Sequence, residues 1–132
     1  MKPIYLTVAL GLLPVPAFAT CQQGLFEPFF RDFARDITVQ EAVAPDLLKV
    51  SRLDPDADPE PVAVMHEIAR ADIEFPLVPN LVPFERAGGS VTYKTVEQGQ
   101  SVTLSGDSGY LMTLVFTQDP CWRLVSIKDD SM

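Results

Sequence analysis

The sequence predicts an α+β domain, and three observations predict it: an amphipathic helical stretch early in the chain, four short strand-like runs late in it, and turn residues between those runs. Phe26, Phe29, Phe30 and Phe33 fall at i, i+3, i+4 and i+7, with Ile37 one turn further on, while Glu27, Arg31, Asp32 and Arg35 occupy the opposite side. That spacing is one apolar stripe on a helix of 3.6 residues per turn. Pro28 suits the first turn, where its missing N–H costs nothing, so the helix is expected to start near Glu27. Runs 91–97, 101–105, 110–117 and 121–127 follow the Gly88-Gly89 turn and are separated by Gly99, by Gly106-Asp107-Ser108-Gly109 and by Asp119-Pro120. They read as an antiparallel meander. In the third run Tyr110, Met112, Leu114 and Phe116 share one face and Leu111 and Val115 the other, which suits a central strand. An early helix and late strands make a helix packed on one face of a curved antiparallel sheet, with a C-terminal four-strand meander.

The middle of the chain carries weaker patterns. Residues 38–44 and 47–53 are short apolar-mixed stretches divided by Pro45 and are expected as short strands. Asp54-Pro55-Asp56-Ala57-Asp58-Pro59-Glu60-Pro61 interleaves acids and prolines, which excludes helix and central strand and leaves an exposed loop. Residues 62–68 are apolar enough to return as the second arm of a hairpin. A short helix or turn is expected over 69–74, and the proline-punctuated run 75–84 is expected to pack irregularly across the core.

Export is predicted for the chain. Lys2, the apolar run 4–13, Pro14 and Pro16, and then Ala17-Phe18-Ala19 form the pattern of a cleaved signal over 1–19, with cleavage between Ala19 and Thr20. The run is too short to cross a bilayer. Residues 20–132 are then a single α+β domain delivered to a bacterial periplasm or secreted, with no membrane-spanning segment. With 18 Asp and Glu against 10 Lys and Arg, a formal net charge of -8 argues against nucleic acid as a partner, because phosphate neutralisation needs clustered cations. In an oxidising compartment the only two cysteines, Cys21 and Cys121, are expected to pair. Such a bridge closes a loop of about 100 residues, worth roughly 4–5 kcal/mol in the chain-entropy treatment. No C-x-x-C pair points to redox chemistry.

Candidate sites are few. His66, the only histidine, precedes Glu67, but strand neighbours point to opposite faces and no nucleophile accompanies them in a recognisable motif. Asp54-x-Asp56-x-Asp58 opens like a calcium loop, yet Pro59 replaces the required glycine and Met65 the bidentate acid. No metal site, no catalytic set and no cofactor are therefore predicted. Phe26, Phe30, Phe33, Tyr93, Tyr110 and Trp122 are the residues that would wall a pocket for a small apolar ligand, since aromatic walls with a polar tip suit one. For the phenylalanine stripe plain core is the expected role ahead of a pocket wall, because an apolar helix face packs against a sheet.

The helix Phe26-x-x-Phe29-Phe30-x-x-Phe33-x-x-Asp36, then Val39-Gln40, then Phe75-Pro76-Leu77 and a closing Cys121-Trp122-Arg123-Leu124-Val125-Ser126-Ile127 resemble secreted bacterial domains of the nuclear-transport-factor-two-like, cystatin-like superfamily. The resemblance implies a cone, a curved sheet wrapped on helices, often with a concave pocket. The proline-rich middle is expected to replace the second and third helices that many members have. Members include isomerases and dehydratases as well as binding and dimerisation modules, and fold does not choose among them. Three functions are expected in this order: an exported non-catalytic module binding a small ligand or an envelope protein; a small-molecule isomerase or hydrolase-like enzyme pairing a buried carboxylate with Tyr93 or Tyr110; a structural homodimer.

Overall fold

A computed structural model describes residues 21–132; the predicted signal over 1–19 and its Ala19/Thr20 cleavage point lie outside the described residues. Helix α1 (Phe26–Arg35) buries Phe26, Phe29, Phe30, Phe33 and Ala34. Its stripe meets Phe116, whose ring centroid lies 5.2–5.9 Å from all four phenylalanines. Burying a phenylalanine side chain contributes roughly 1.5–3 kcal/mol, so this contact is the main bond between helix and sheet.

Helix α2 (Ile37–Val43) occupies the stretch expected as a strand. β-branched Ile37, Thr38 and Val39 favour extended structure, but the Asp36 carboxylate accepts the Thr38 backbone N–H at 2.9 Å and caps a helix instead. Gln40 and Val43, three apart, are its buried positions. Gln40 is fully buried; its Nε2 donates to the Phe33 carbonyl at 2.8 Å and its Oε1 accepts the Leu77 N–H at 2.7 Å. The Val39-Gln40 and Phe75-Pro76-Leu77 motifs thus meet through one amide side chain. Gln40→Leu strands a buried carbonyl and a partly buried N–H, and is expected to cost roughly 2–4 kcal/mol in urea unfolding. A loss below about 1 kcal/mol would mean that water replaces both bonds.

Strands β1 (Leu47–Asp54) and β2 (Val62–Ala69) form the expected hairpin around the exposed Asp/Pro loop, in continuous register from Leu47↔Ala69 to Asp54↔Val62. In that loop Asp54 accepts the Asp56 N–H at 3.0 Å, a local turn bond. A 3-10 turn covers Arg70–Asp72. The run expected to be irregular ends in a third helix, α3 (Leu81–Arg86), capped by Asn80, whose side chain accepts the Val82 N–H at 3.1 Å. Pro83 is tolerated because the first-turn N–H groups have no intrahelical partner. Short second and third helices are therefore present despite the prolines.

Strands β3 (Ser90–Val96), β4 (Gly99–Ser105), β5 (Leu111–Gln118) and β6 (Trp122–Asp129) make the predicted meander. Gly99 has φ +153°, and a Cβ there would strike the Phe116 carbonyl oxygen, so the turn into β4 requires glycine. The six strands lie in one sheet, in the order β2-β1-β6-β5-β4-β3. β1 runs parallel to β6, with Lys49↔Ser126 and Arg52↔Asp129 in register, and every other pair is antiparallel. The sheet is mixed rather than purely antiparallel because α2 returns the chain to the β6 edge before β1 begins. The central placement of β5 agrees with its pattern.

The Cys21–Cys121 bridge is present, with its Cα atoms 5.2 Å apart. Beside it the Trp122 N–H donates to the Gln22 carbonyl at 2.7 Å and the indole Nε1 donates to the Gly24 carbonyl at 2.9 Å. No helix among the described residues is long and apolar enough to cross a membrane.

Candidate functional site: a cavity on the helical face of the sheet

The alternation of the strands gives the sheet two unlike faces. On the helical face, strand register aligns Val102, Leu114, Ile127, Val50 and His66 in one row, and Leu104, Met112, Asp129, Arg52 and Val64 in the next. α1 covers the Phe116 side of this face, and its contacts run to α2 and α3. The β1 side is roofed by the segment after β2 instead. Between that roof and the sheet lies a cavity of about 460 Å³. Leu48, Val50, Ile68, Met112 and Ile127 form its floor, and Ile73, Phe75, Pro76 and Leu77 its roof. Gln40 holds the roof through Leu77.

Four polar side chains stand at this cavity: Arg52, Asp72, Glu74 and Asp129. Arg52, Asp72 and Glu74 are exposed and Asp129 is half-buried. Asp129 lies opposite Arg52 across the parallel pair and accepts the Ser131 N–H at 3.0 Å. A concave site that mixes apolar side chains with a few charged groups is where a small molecule can be held. Sequence reasoning missed it, because its residues are scattered over β1, β2, β5, β6 and the 72–77 segment. The period-2 alternation of Leu48 and Val50 and of Met112 and Leu114 was the available signal.

The predicted pocket residues go elsewhere. Phe26, Phe30 and Phe33 are buried in the aromatic core. Trp122 packs on the same core, its ring 5.0 Å from Phe26 and stacked on Phe29 at 5.7 Å. It also borders a second groove of about 660 Å³ beside the disulfide, with Arg70 and Arg123. There Arg70 is committed to backbone: it donates to the Glu41 carbonyl at 3.1 Å and to the Ala44 carbonyl, so it closes the C-terminal end of α2.

Neither tyrosine lines the concave cavity. Tyr93 stands edge-on to Phe26 and Phe30, and its buried hydroxyl has no hydrogen-bond partner among the described residues. Burial pushes its phenol above the ordinary value, helped by Glu27 and Glu85 and opposed by Arg31. Tyr110 lines a shallow hollow of about 380 Å³ with Phe84 and Asp107, and its hydroxyl donates to Met112 Sδ at 3.7 Å. Burial raises it first, and the Asp129 charge raises it further. Both phenols are therefore harder to ionise than a free tyrosine, with Glu27 and Glu85 acting on the first and Asp129 on the second. His66 is exposed on β2, at the open edge of the sheet. Among the described residues, no group of three His, Cys, Asp or Glu side chains is placed to hold a metal ion.

No protein-family model and no curated protein sequence matches the chain. Among solved structures it is similar to an ntf2-like protein from Bacteroides fragilis NCTC 9343, at 20% identity and a TM-score of 0.56. The match covers 83% of this chain and 48% of that one, so the chain spans about half the length of the protein it resembles. Helices packed on one face of a mixed six-stranded sheet, closed by that likeness, identify the architecture as the NTF2-like fold.

Proposed function

We propose that this chain is an exported, non-catalytic module that holds a small molecule in the cavity between the sheet and the 72–77 segment. The observation that carries the reading is the cavity itself: about 460 Å³ between sheet and roof, lined by nine apolar and four charged side chains. A base in reach of an oxyanion donor is what an isomerase of this fold would need, and the two tyrosines lie outside this lining. The Cys21–Cys121 bridge favours an oxidising compartment, in keeping with the predicted signal.

Native mass spectrometry of the protein taken without reduction from the periplasm of its host tests both parts. The expected spectrum is a chain starting at Thr20, two hydrogens lighter than the reduced mass, carrying an additional small-molecule mass that Ile127→Trp abolishes. A bare polypeptide mass in every preparation, with no uptake of added alkyl ligands, would overturn the binding role. A chain that still begins at Met1 would overturn export.

A further inference from the structure

We propose that β2 is an interface strand: a second copy of this chain pairs with it edge to edge, antiparallel about a two-fold axis at His66, and joins the two sheets into one. β2 ends the sheet, and among the described residues β1 is the element that packs broadly on it. Seven of its eight residues are exposed, the apolar Val62, Val64 and Met65 among them. Natural sheets protect such an edge with lysine, proline, a bulge or a short strand, because its unpaired N–H and C=O groups template another chain. β2 lacks all four. It runs eight residues in unbroken register with β1, without lysine or proline, and Glu67 is its one formal charge. The opposite edge, β3, carries Lys94 within the strand, so pairing stops at two copies.

The hydrogen-bond phase of β2 fixes which groups it offers. One step beyond Leu47↔Ala69, the Arg70 N–H donates to the Asp46 carbonyl at 2.9 Å. Bonding residues alternate along an antiparallel strand, so the even-numbered residues of β2 bond β1, and Ala63, Met65, Glu67 and Ala69 turn both backbone groups outward. An axis at His66 sets Ala63 against Ala69 of the second copy and Met65 against its Glu67, which pairs every one of these groups on both copies. Moving the axis one residue sets Ala69 against Pro61, which has no N–H, or Ala63 against Ala71 in the 3-10 turn. Charge favours the same arrangement. With a net charge of -8, two copies repel over most of their surface. Antiparallel pairing opposes Glu67 to Met65 instead of to another acid, and it sends the two acidic loops, residues 54–61, to opposite ends of the joined strands. The two Pro61 residues then stand about ten strand residues apart, or ~34 Å, several Debye lengths at physiological salt.

One strand pair is a small interface, so a dissociation constant of about 1–100 µM is expected, and sedimentation velocity of the oxidised mature protein across that range should show the dimer forming. Met65→Pro removes an outward N–H that β1 does not use, and is expected to weaken the dimer at least about 10-fold while the β1–β2 ladder stays intact. His66→Asp, an exposed change, sets two carboxylates across the axis and is expected to weaken it by about as much. In His66→Cys the two thiols meet at the axis and are expected to cross-link the dimer on air oxidation, whereas Val64→Cys thiols, each opposite Ile68 of the other copy, are not. A monomer across the whole range would overturn the proposal. So would a dimer that neither Met65→Pro nor His66→Asp weakens, since another surface would then carry it. Cross-linking through Val64→Cys in place of His66→Cys would overturn the register.

Discussion

Replacing Phe116 with Ala is expected to lower the unfolding free energy by about 3–5 kcal/mol, the largest effect of any single substitution proposed for this chain. Phe116 is fully buried on β5 and meets Phe26, Phe29, Phe30 and Phe33 at once. Truncation therefore removes the ring's own burial and leaves a void that four rings around it cannot fill without moving α1. Because α1 joins the sheet through this contact, a part of the loss is expected in the amide protection of α1 as well as of β5. Equilibrium urea unfolding with hydrogen exchange measures both. A loss under about 1.5 kcal/mol would show that the neighbouring phenylalanines close over the gap, and that the helix is held from elsewhere.

Removing the disulfide ranks next. The Cys21→Ser, Cys121→Ser variant is expected to lose about 2–5 kcal/mol, chiefly because the unfolded chain regains the freedom of a 100-residue loop. The bridge also secures residues 22–24, whose carbonyls accept both N–H groups of Trp122. Release of that segment exposes the indole, so a red shift in Trp122 emission is expected before global unfolding in the variant and not in the oxidised protein. A steeper dependence on denaturant should accompany it, since the uncrosslinked unfolded state exposes more surface. An unchanged midpoint in the variant would place the stability of this end in the Trp122 hydrogen bonds and packing instead.

The features legible in the sequence share one property: their signal is local. The phenylalanine stripe of α1 needs only the helical period, the meander only alternation and turn residues, and the β1–β2 hairpin only the Asp/Pro loop between two apolar runs. The cysteine pairing follows from there being two cysteines. What misled was local as well. Ile37-Thr38-Val39 reads as strand by propensity, and the Asp36 cap together with the burial of Gln40 and Val43 outweighs it. Prolines at 76, 79 and 83 read as irregular chain, yet Pro83 sits where a helix start has no use for its N–H.

The α+β class, the helix that supplies most of the aromatic core, the four-strand meander and the one covalent link are all written in the order of the residues. Each follows from periodicity or from residue chemistry within a short window. The parallel pairing of β1 with β6 emerges from the folded chain alone. Only the tertiary structure, too, decided that the concave cavity is walled by Leu48, Val50, Met112 and Ile127 beneath Phe75 and Leu77. These depend on which strand edges meet after the chain has turned through α2 and on which face α1 leaves uncovered. Such long-range pairings are set by the packing free energy of the whole sheet, and no window of sequence contains it.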